Sequence, residues 1–208
     1  MAKAEDNPEI TLGVLSAVEN NSAITQRDVS RDLGIALGLT NTYLKRCIKK
    51  GLIKIRHAPA NRYAYYLTPR GFAEKTRLTG EYLSQGFQFF RLARFQLKTI
   101  FKDCQNKGWD KVAFHGLTDI TEIAFLSISE FNIKARGIVD KSSAMTEYTG
   151  VPIFSKLEDL PPIDTVIITD LGDLQVVIDE AVKLFGSDRI FVPEILAPKF
   201  SNKMEIHQ

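Results

Sequence analysis

The stretch that most restricts the fold lies between residues 25 and 51, where two short apolar stripes stand on either side of a turn signal at Gly34. In TQRDVSRDL, Val29 and Leu33 are four apart, which puts both on one helical face. Thr25, just ahead of that stripe, reads as an N-cap whose oxygen accepts from an amide of the first turn. Gly34 then supplies the positive φ that a sharp turn needs. A further helix is expected from about residue 36 or 40 to Lys50, with Gly51 as its C-terminal cap and Leu44 and Ile48 marking its buried side. Upstream, PEITLGVLSAVEN offers Ile10, Val14, Leu15 and Val18 as a covering helix that ends at Asn20-Asn21-Ser22. Two short helices about a tight glycine turn form a helix-turn-helix, the second helix of which can enter a major groove.

Two alternating segments follow, LIKIRH and RYAYYL, separated by Ala58-Pro59-Ala60-Asn61. They predict a β-hairpin with Arg56, His57 and Arg62 near its tip. A hairpin directly after the second helix is the wing of a winged helix. Thr68-Pro69 then opens another helix, Thr68 capping it and Pro69 in its first turn.

Charge is distributed unevenly along the chain. The formal net charge is +2, yet residues 1–110 hold 18 Lys+Arg against 10 Asp+Glu and residues 111–208 hold 9 against 15. Residues 36–77 contain ten basic side chains and one acid, Glu74. Such a concentration repels itself unless a polyanion offsets it. On the expected second helix, Asn41, Thr42, Lys45 and Arg46 lie where bases would be read. Tyr43 suits either a contact with DNA or internal packing. Lys49, Lys50, Lys54, Arg56 and Arg62 suit phosphates, which fix register without reading sequence. Arg70 and Arg77 fit ordinary helix-surface charges, and His57 a surface histidine. The partner this pattern implies is double-stranded DNA.

The stretches GLTNT at residues 38–42, KKGLIK at 49–54 and LTPRG at 67–71 resemble those of MarR-type winged-helix transcription regulators. The likeness extends over roughly the first 105 residues, and the stretch is especially similar to the short MarR-like regulators associated with exopolysaccharide biosynthesis clusters. It implies a winged helix, DNA binding and a two-fold homodimer reading two half-sites.

Residues 81–107 read as one long helix, with Leu83, Phe87, Phe90, Ala93, Leu97, Ile100 and Cys104 along one stripe. That stripe can be a dimer seam or can pack on the chain's own second domain. Phe89, Leu92 and Phe95 make other sides apolar too, so both contacts can coexist. Cys104 reads as a small buried hydrophobe rather than a redox switch.

After Gly108-Trp109-Asp110 the periodicity changes. Trp109 is expected to pack at the domain junction. KVAFHG, KARGIVD, TVIITD and RIFVPEI read as strands, DITEIAFLSISEF and QVVIDEAVKLFG as helices. Alternating strands and helices with short links imply a parallel sheet. The fold class is therefore a winged helix-turn-helix, a long helix and a small α/β Rossmann-like parallel-sheet domain lacking at least one crossover helix. The domains are 1–80, a linker and dimerisation helix over 81–108, and 109–208. Residues 148–162 are expected to be mostly loop, with an edge strand or short helix.

Ligands of such sheets bind beyond the carboxyl ends of the strands. The candidates there are His115, Gly116, Leu117 and Thr118, then Asp140 and Lys141, Thr169 and Asp170, and Pro193 and Glu194. Asp140 stands 24 residues after Gly116, near where a dinucleotide-binding acid meets a ribose hydroxyl. Where G-x-G-x-x-G would be required, however, the chain reads Gly116-Leu117-Thr118-Asp119-Ile120-Thr121. Asp119 would also repel a pyrophosphate. The second half resembles Rossmann-type domains of CoA-binding and sugar-modifying proteins, and the overall layout resembles the redox-sensing Rex repressors. A nucleotide is admissible as cofactor but not favoured; a small-molecule effector or a partner-binding role shares the rest. The alternative to a regulator is a nucleotide- or nucleotide-sugar-binding enzyme with an accessory winged helix, though no nucleophile–base pair or metal-ligand spacing stands out. With two distant cysteines and no run of about 18 apolar residues, a reducing cytoplasm and no membrane span are expected.

Overall fold

The computed structural model describes residues 7–58 and 62–196, and the chain divides into two compact units, residues 1–87 and 88–208. The division falls inside one long helix.

In the first unit, α1 (Pro8–Asn20), α2 (Gln26–Asp32) and α3 (Leu37–Lys49) precede the hairpin β1 (Ile53–Ala58) and β2 (Arg62–Leu67). Thr25 caps α2 in a capping box, its Oγ1 accepting from the Asp28 amide while the Asp28 carboxylate accepts from the Thr25 amide. Gly34 and Gly51 end α2 and α3 at φ +63° and +71°. Val14, Leu15, Val18, Val29, Tyr43, Leu44, Cys47, Ile53 and Tyr65 form the core. The Tyr65 amide donates to the Ser22 carbonyl at 2.8 Å, tying the hairpin to the turn after α1.

The turn into the next helix is held by the two motifs that flank the hairpin. Thr68 Oγ1 donates to the Gly51 carbonyl at 2.7 Å and accepts from the Gly71 amide at 3.0 Å. The Thr68 amide donates to the Leu52 carbonyl at 3.0 Å. α4 then runs unbroken over Pro69–Asn106, 38 residues. The helix starting at Pro69 and the one expected over 81–107 are thus one; Gly80 and Gly86 are tolerated because each interior glycine costs only about 1 kcal/mol relative to alanine.

The second unit is built on the sheet order β5-β6-β4-β3-β7-β8. Its strands are β3 (Lys111–His115), β4 (Lys134–Val139), β5 (Glu147–Tyr148), β6 (Val151–Phe154), β7 (Thr165–Ile168) and β8 (Ile190–Phe191). All neighbours pair in parallel except β5 with β6. The first strand lies centrally and the order reverses beside it, the doubly wound arrangement of a Rossmann-like sheet. α5 (Asp119–Ile128) and α6 (Leu174–Phe185) connect β3 to β4 and β7 to β8. Between β6 and β7 there is only a one-turn 3₁₀ helix, Leu157–Asp159.

Phe114, Ile138, Val166, Ile167 and Ile168 fill the core together with Ala93, Leu97, Phe101 and Cys104 from the end of α4. The stripe on α4 therefore divides. Its C-terminal half packs on the chain's own sheet, while Leu83 and Phe87 remain exposed. Burial raises the Cys104 thiol to about 11, as a small core hydrophobe requires. Trp109 packs within this second unit, edge-on to Phe191 at 6.3 Å. Among the described residues no helix is long and apolar enough to cross a membrane.

Candidate nucleic-acid interface and sheet-end site

α3 has two unlike sides. Thr40, Tyr43, Leu44 and Cys47 are buried, the i, i+3, i+4, i+7 spacing of a core-facing stripe. Thr42, Lys45, Lys49 and Lys50 are exposed, and Asn41, Arg46 and Ile48 are half-buried. Tyr43 is thereby corrected from the DNA-contact set: it is 2% exposed, and its hydroxyl accepts from the Asn7 amide at 2.8 Å. Its ring instead supports the Arg46 guanidinium, 5.1 Å from the centroid. The Thr42 hydroxyl donates back to the Gly38 carbonyl at 2.9 Å, leaving its methyl group and a lone pair outward. α3 begins without a side-chain cap, at exposed Leu37 and Gly38.

The register of the hairpin pairs Lys54 with Tyr66 and Arg56 with Ala64. Side chains alternate along a strand, so Lys54 and Arg56 share one face, and the Arg56 guanidinium lies 5.7 Å from the Tyr66 ring centroid. Arg62 pairs with Ala58 at the tip end. The tip itself, residues 59–61, and the side chains of His57 and Arg62 lie outside the described residues. A concavity of about 500 Å³ opens between the start of α2, Leu37, the exposed Tyr63 and the buried Tyr65 of the hairpin. Glu74, the one acid of the basic segment, is held by Arg77 at 2.7 and 2.9 Å. That hydrogen bonding lowers the Glu74 carboxyl and binds Arg77 to the flank of α4. Lys45, Lys49 and Lys54 are exposed on α3 and β1, in a segment whose one acid is Glu74.

At the carboxyl end of the sheet, the first loop closes on itself. Gly116 has φ +97°, and a Cβ there would meet Asp170 Cα at 2.7 Å. Thr118 caps α5 and donates its hydroxyl to the Thr169 carbonyl at 2.7 Å. Thr169 Oγ1 donates to the Gly116 carbonyl at 2.8 Å, and Thr121 donates to the same oxygen. Asp140 Oδ2 accepts from the Leu117 amide at 2.9 Å; its Oδ1 accepts from the Ser142 amide and hydroxyl and the Ser143 amide at 2.8, 2.7 and 3.1 Å. Burial works against the Asp140 charge, but these donors outweigh it and hold the carboxyl below its ordinary value. A phosphate at this helix start would therefore meet an amide already given to Asp140. Gly116, Thr118 and Asp140 come together as a closed hydrogen-bonded loop, not as a cradle.

His115, the last residue of β3, belongs to a different lining. With Lys141 it lines a cavity of about 570 Å³, floored by Val139 and Leu157 and completed by Ser155, Lys156, Glu158, Glu180, Lys183 and Leu184. His115 Nδ1 is 3.5 Å from Asp170 Oδ2, and it is buried without a hydrogen-bond partner among the described residues. Burial holds the imidazole below its ordinary value, against the opposing pull of Asp170, Glu180 and Asp140. Lys156, Lys183 and Glu180 carry no sequence signal for this role; they are charges on elements far apart in the chain. Among the described residues no cluster of His, Cys, Asp and Glu fit for a metal ion occurs.

One comparison with known proteins bears directly on the first unit. The family model for winged helix-turn-helix DNA-binding matches residues 8–54. No curated protein matches the chain. Among solved structures, the chain is similar to the PcaV transcriptional regulator from Streptomyces coelicolor in complex with its natural ligand, at 20% identity and TM-score 0.39, over 51% of this chain and 77% of that one. It is similar to a MepR–DNA complex of Staphylococcus aureus at 22% identity and TM-score 0.33, over 38% and 57%. A third similarity is to the Mycobacterium tuberculosis MarR family protein Rv2887, at 17% identity and TM-score 0.31, over 34% and 55%. The chain thus spans 55% and 57% of the length of two of these solved relatives and 77% of the third. Residues 8–54 belong to a winged helix-turn-helix, and the hairpin that follows completes it.

Proposed function

We propose that the chain is a dimeric transcriptional regulator of the MarR type, with a winged helix that reads double-stranded DNA and a Rossmann-like unit that senses a small ligand. One observation carries the DNA part: α3 turns Tyr43, Leu44 and Cys47 into the core and leaves Thr42, Lys45 and Lys49 outside, next in sequence to the Lys54 and Arg56 face of the hairpin. Asn41, Thr42, Lys45 and Arg46 read base edges, and Lys49, Lys50, Lys54, Arg56 and Arg62 hold phosphates.

Selection of bound fragments from a random DNA pool, followed by fluorescence anisotropy, tests this reading. Lys45→Ala with Arg46→Ala flattens the preference among fragments. Arg56→Ala with Arg62→Ala weakens all fragments alike. Unchanged affinity in both double variants would remove the assigned surface.

Dimerisation is supported by α4. Every residue from Glu81 to Phe89 is exposed in the single chain, and Phe87 and Phe95 are 60% and 69% exposed. An isolated stretch of helix gains little from its own hydrogen bonds, so such a segment normally rests on a partner. A second copy supplies that cover, consistent with a two-fold reading of two half-sites.

The closed Gly116 loop favours an effector other than a dinucleotide, because Asp140 already takes the amide a pyrophosphate would need.

A further inference from the structure

We infer that the cavity between the Leu157–Asp159 turn and α6 binds a small anionic, hydroxyl-bearing metabolite, its phosphate or carboxylate held by Lys141, Lys156 and Lys183 over His115. This deepens the ligand-sensing part of the function proposed above and rests on that reading for its role in regulation.

The cavity exists because the crossover from β6 to β7 is one turn of 3₁₀ helix where a full helix would otherwise cover the sheet. Its volume, about 570 Å³, lies within the usual range of roughly 300–1,000 Å³ for small-molecule sites. Val139 and Leu157, both buried, give it an apolar floor.

The charge of its rim runs against that of its surroundings. Residues 111–208 hold 9 Lys+Arg against 15 Asp+Glu, yet three lysines from three separate elements meet here. Lys141 follows β4, Lys156 follows β6 and Lys183 stands on α6. Among the described residues none of the three forms an ion pair, although Glu158 and Glu180 line the same cavity. Three like charges gathered in one rim repel one another, and an anion among them relieves that cost. Lysine suits phosphate or carboxylate as a point charge with freely turning donors.

Glu158 and Glu180 narrow the class. Carboxylates reject a ligand that is anionic on all sides and accept one whose body presents hydroxyl donors. His115 supplies the remaining asymmetry. Its neighbours Thr118, Thr121, Thr169 and Asp140 are all engaged in hydrogen bonds, whereas its buried Nδ1 has none among the described residues and Asp170 stands 3.5 Å off. An anion received on the cavity side of the ring stabilises the imidazolium, and Nδ1–H then donates to Asp170. The groups facing the ring are Asp170, Glu180 and Asp140 together with the lysine rim.

Thermal unfolding of the full chain at fixed ionic strength tests the site, with glucose 6-phosphate, 6-phosphogluconate and glucose as probes. The two anions raise the midpoint by a few degrees at concentrations well above Kd, and glucose does not. Lys141→Gln with Lys183→Gln abolishes the shift, while Lys134→Gln, at the opposite end of β4, keeps it. In NMR titrations both anions raise the midpoint of His115 and leave His57 unmoved. Equal protection by glucose, protection that survives the double variant, or no protection by either anion overturns the inference. DNA anisotropy on the same protein separates the two proposals. If DNA binds while neither anion protects, the site fails and the regulator stands. If the anions protect without altering DNA affinity, the site stands and the sensing role fails.

Discussion

Gly71 lies so close to Leu52 that a methyl group on its Cα would sit 2.1 Å from the Leu52 carbonyl oxygen. This approach joins the end of α3 to the start of α4, and Thr68 bridges the same two segments. Gly71→Ala forces backbone apart at that joint. It should destabilise the chain by about 1–3 kcal/mol or more. Gly80→Ala, in an open part of the same helix, should stabilise by about 0.5–1 kcal/mol. Urea denaturation midpoints of the two variants should move in opposite directions.

DNA binding should fall steeply with salt. Each phosphate contact contributes about −0.9 to the slope of log K against log salt. Lys54→Ala should reduce the magnitude of that slope by about 1 and leave sequence preference intact. Anisotropy between low and moderate salt measures both quantities, and an unchanged slope would exclude Lys54 from the phosphate set.

Leu83→Glu with Phe87→Glu should convert a dimer to a monomer. Both side chains are exposed in the single chain, so neither change disturbs a core. Light scattering should give half the mass, with thermal stability of the second unit unchanged. A mass unaffected by the substitutions would place the seam elsewhere.

Asp140→Asn removes the charge that four donors serve. A cost of about 1–3 kcal/mol is expected. The folded Asp140 carboxyl titrates below its ordinary value of 3.8, so its contribution is present above pH 3.8 and is lost as acid carries the protein through the folded value. His115 has the same sign for a different reason. Burial lowers the folded imidazole below 6.5, so the unfolded chain binds the proton first and stability declines as pH falls below about 6.5. His115→Gln should flatten the dependence of the thermal midpoint between neutral pH and the folded value. An unaltered pH profile would place the titrating group elsewhere.

Much of the first unit was legible because its signals are local. The Thr25 and Thr68 caps, the turns at Gly34 and Gly51 and the alternation of the hairpin each lie within a few residues. Tyr43 illustrates the limit: a tyrosine has both an apolar body and a polar tip, so its type alone does not select a side of α3. The buried stripe 40-43-44-47 decides it, and that stripe becomes apparent once the packing of α1 is known. In the second unit the alternation of strands and helices was readable, but β5, with two residues, carries too little pattern to register. The cavity was half legible. His115 ends β3 and Lys141 follows β4, so both could be named, whereas Lys156 and Lys183 join them only through sheet order.

The carboxylate that closes the β3–α5 loop has a mechanical consequence. Ser142 and Ser143 fix the Asp140 carboxylate, which in turn holds the Leu117 amide, so parting that loop from β4 strips a donor from a positioned charge and this corner behaves as a clamp. Across the sheet, the one-turn 3₁₀ helix at Leu157–Asp159 has no side-chain cap and is anchored chiefly by Leu157. The compliance of the carboxyl edge is therefore lopsided, and displacement there falls to the lysine-bearing rim.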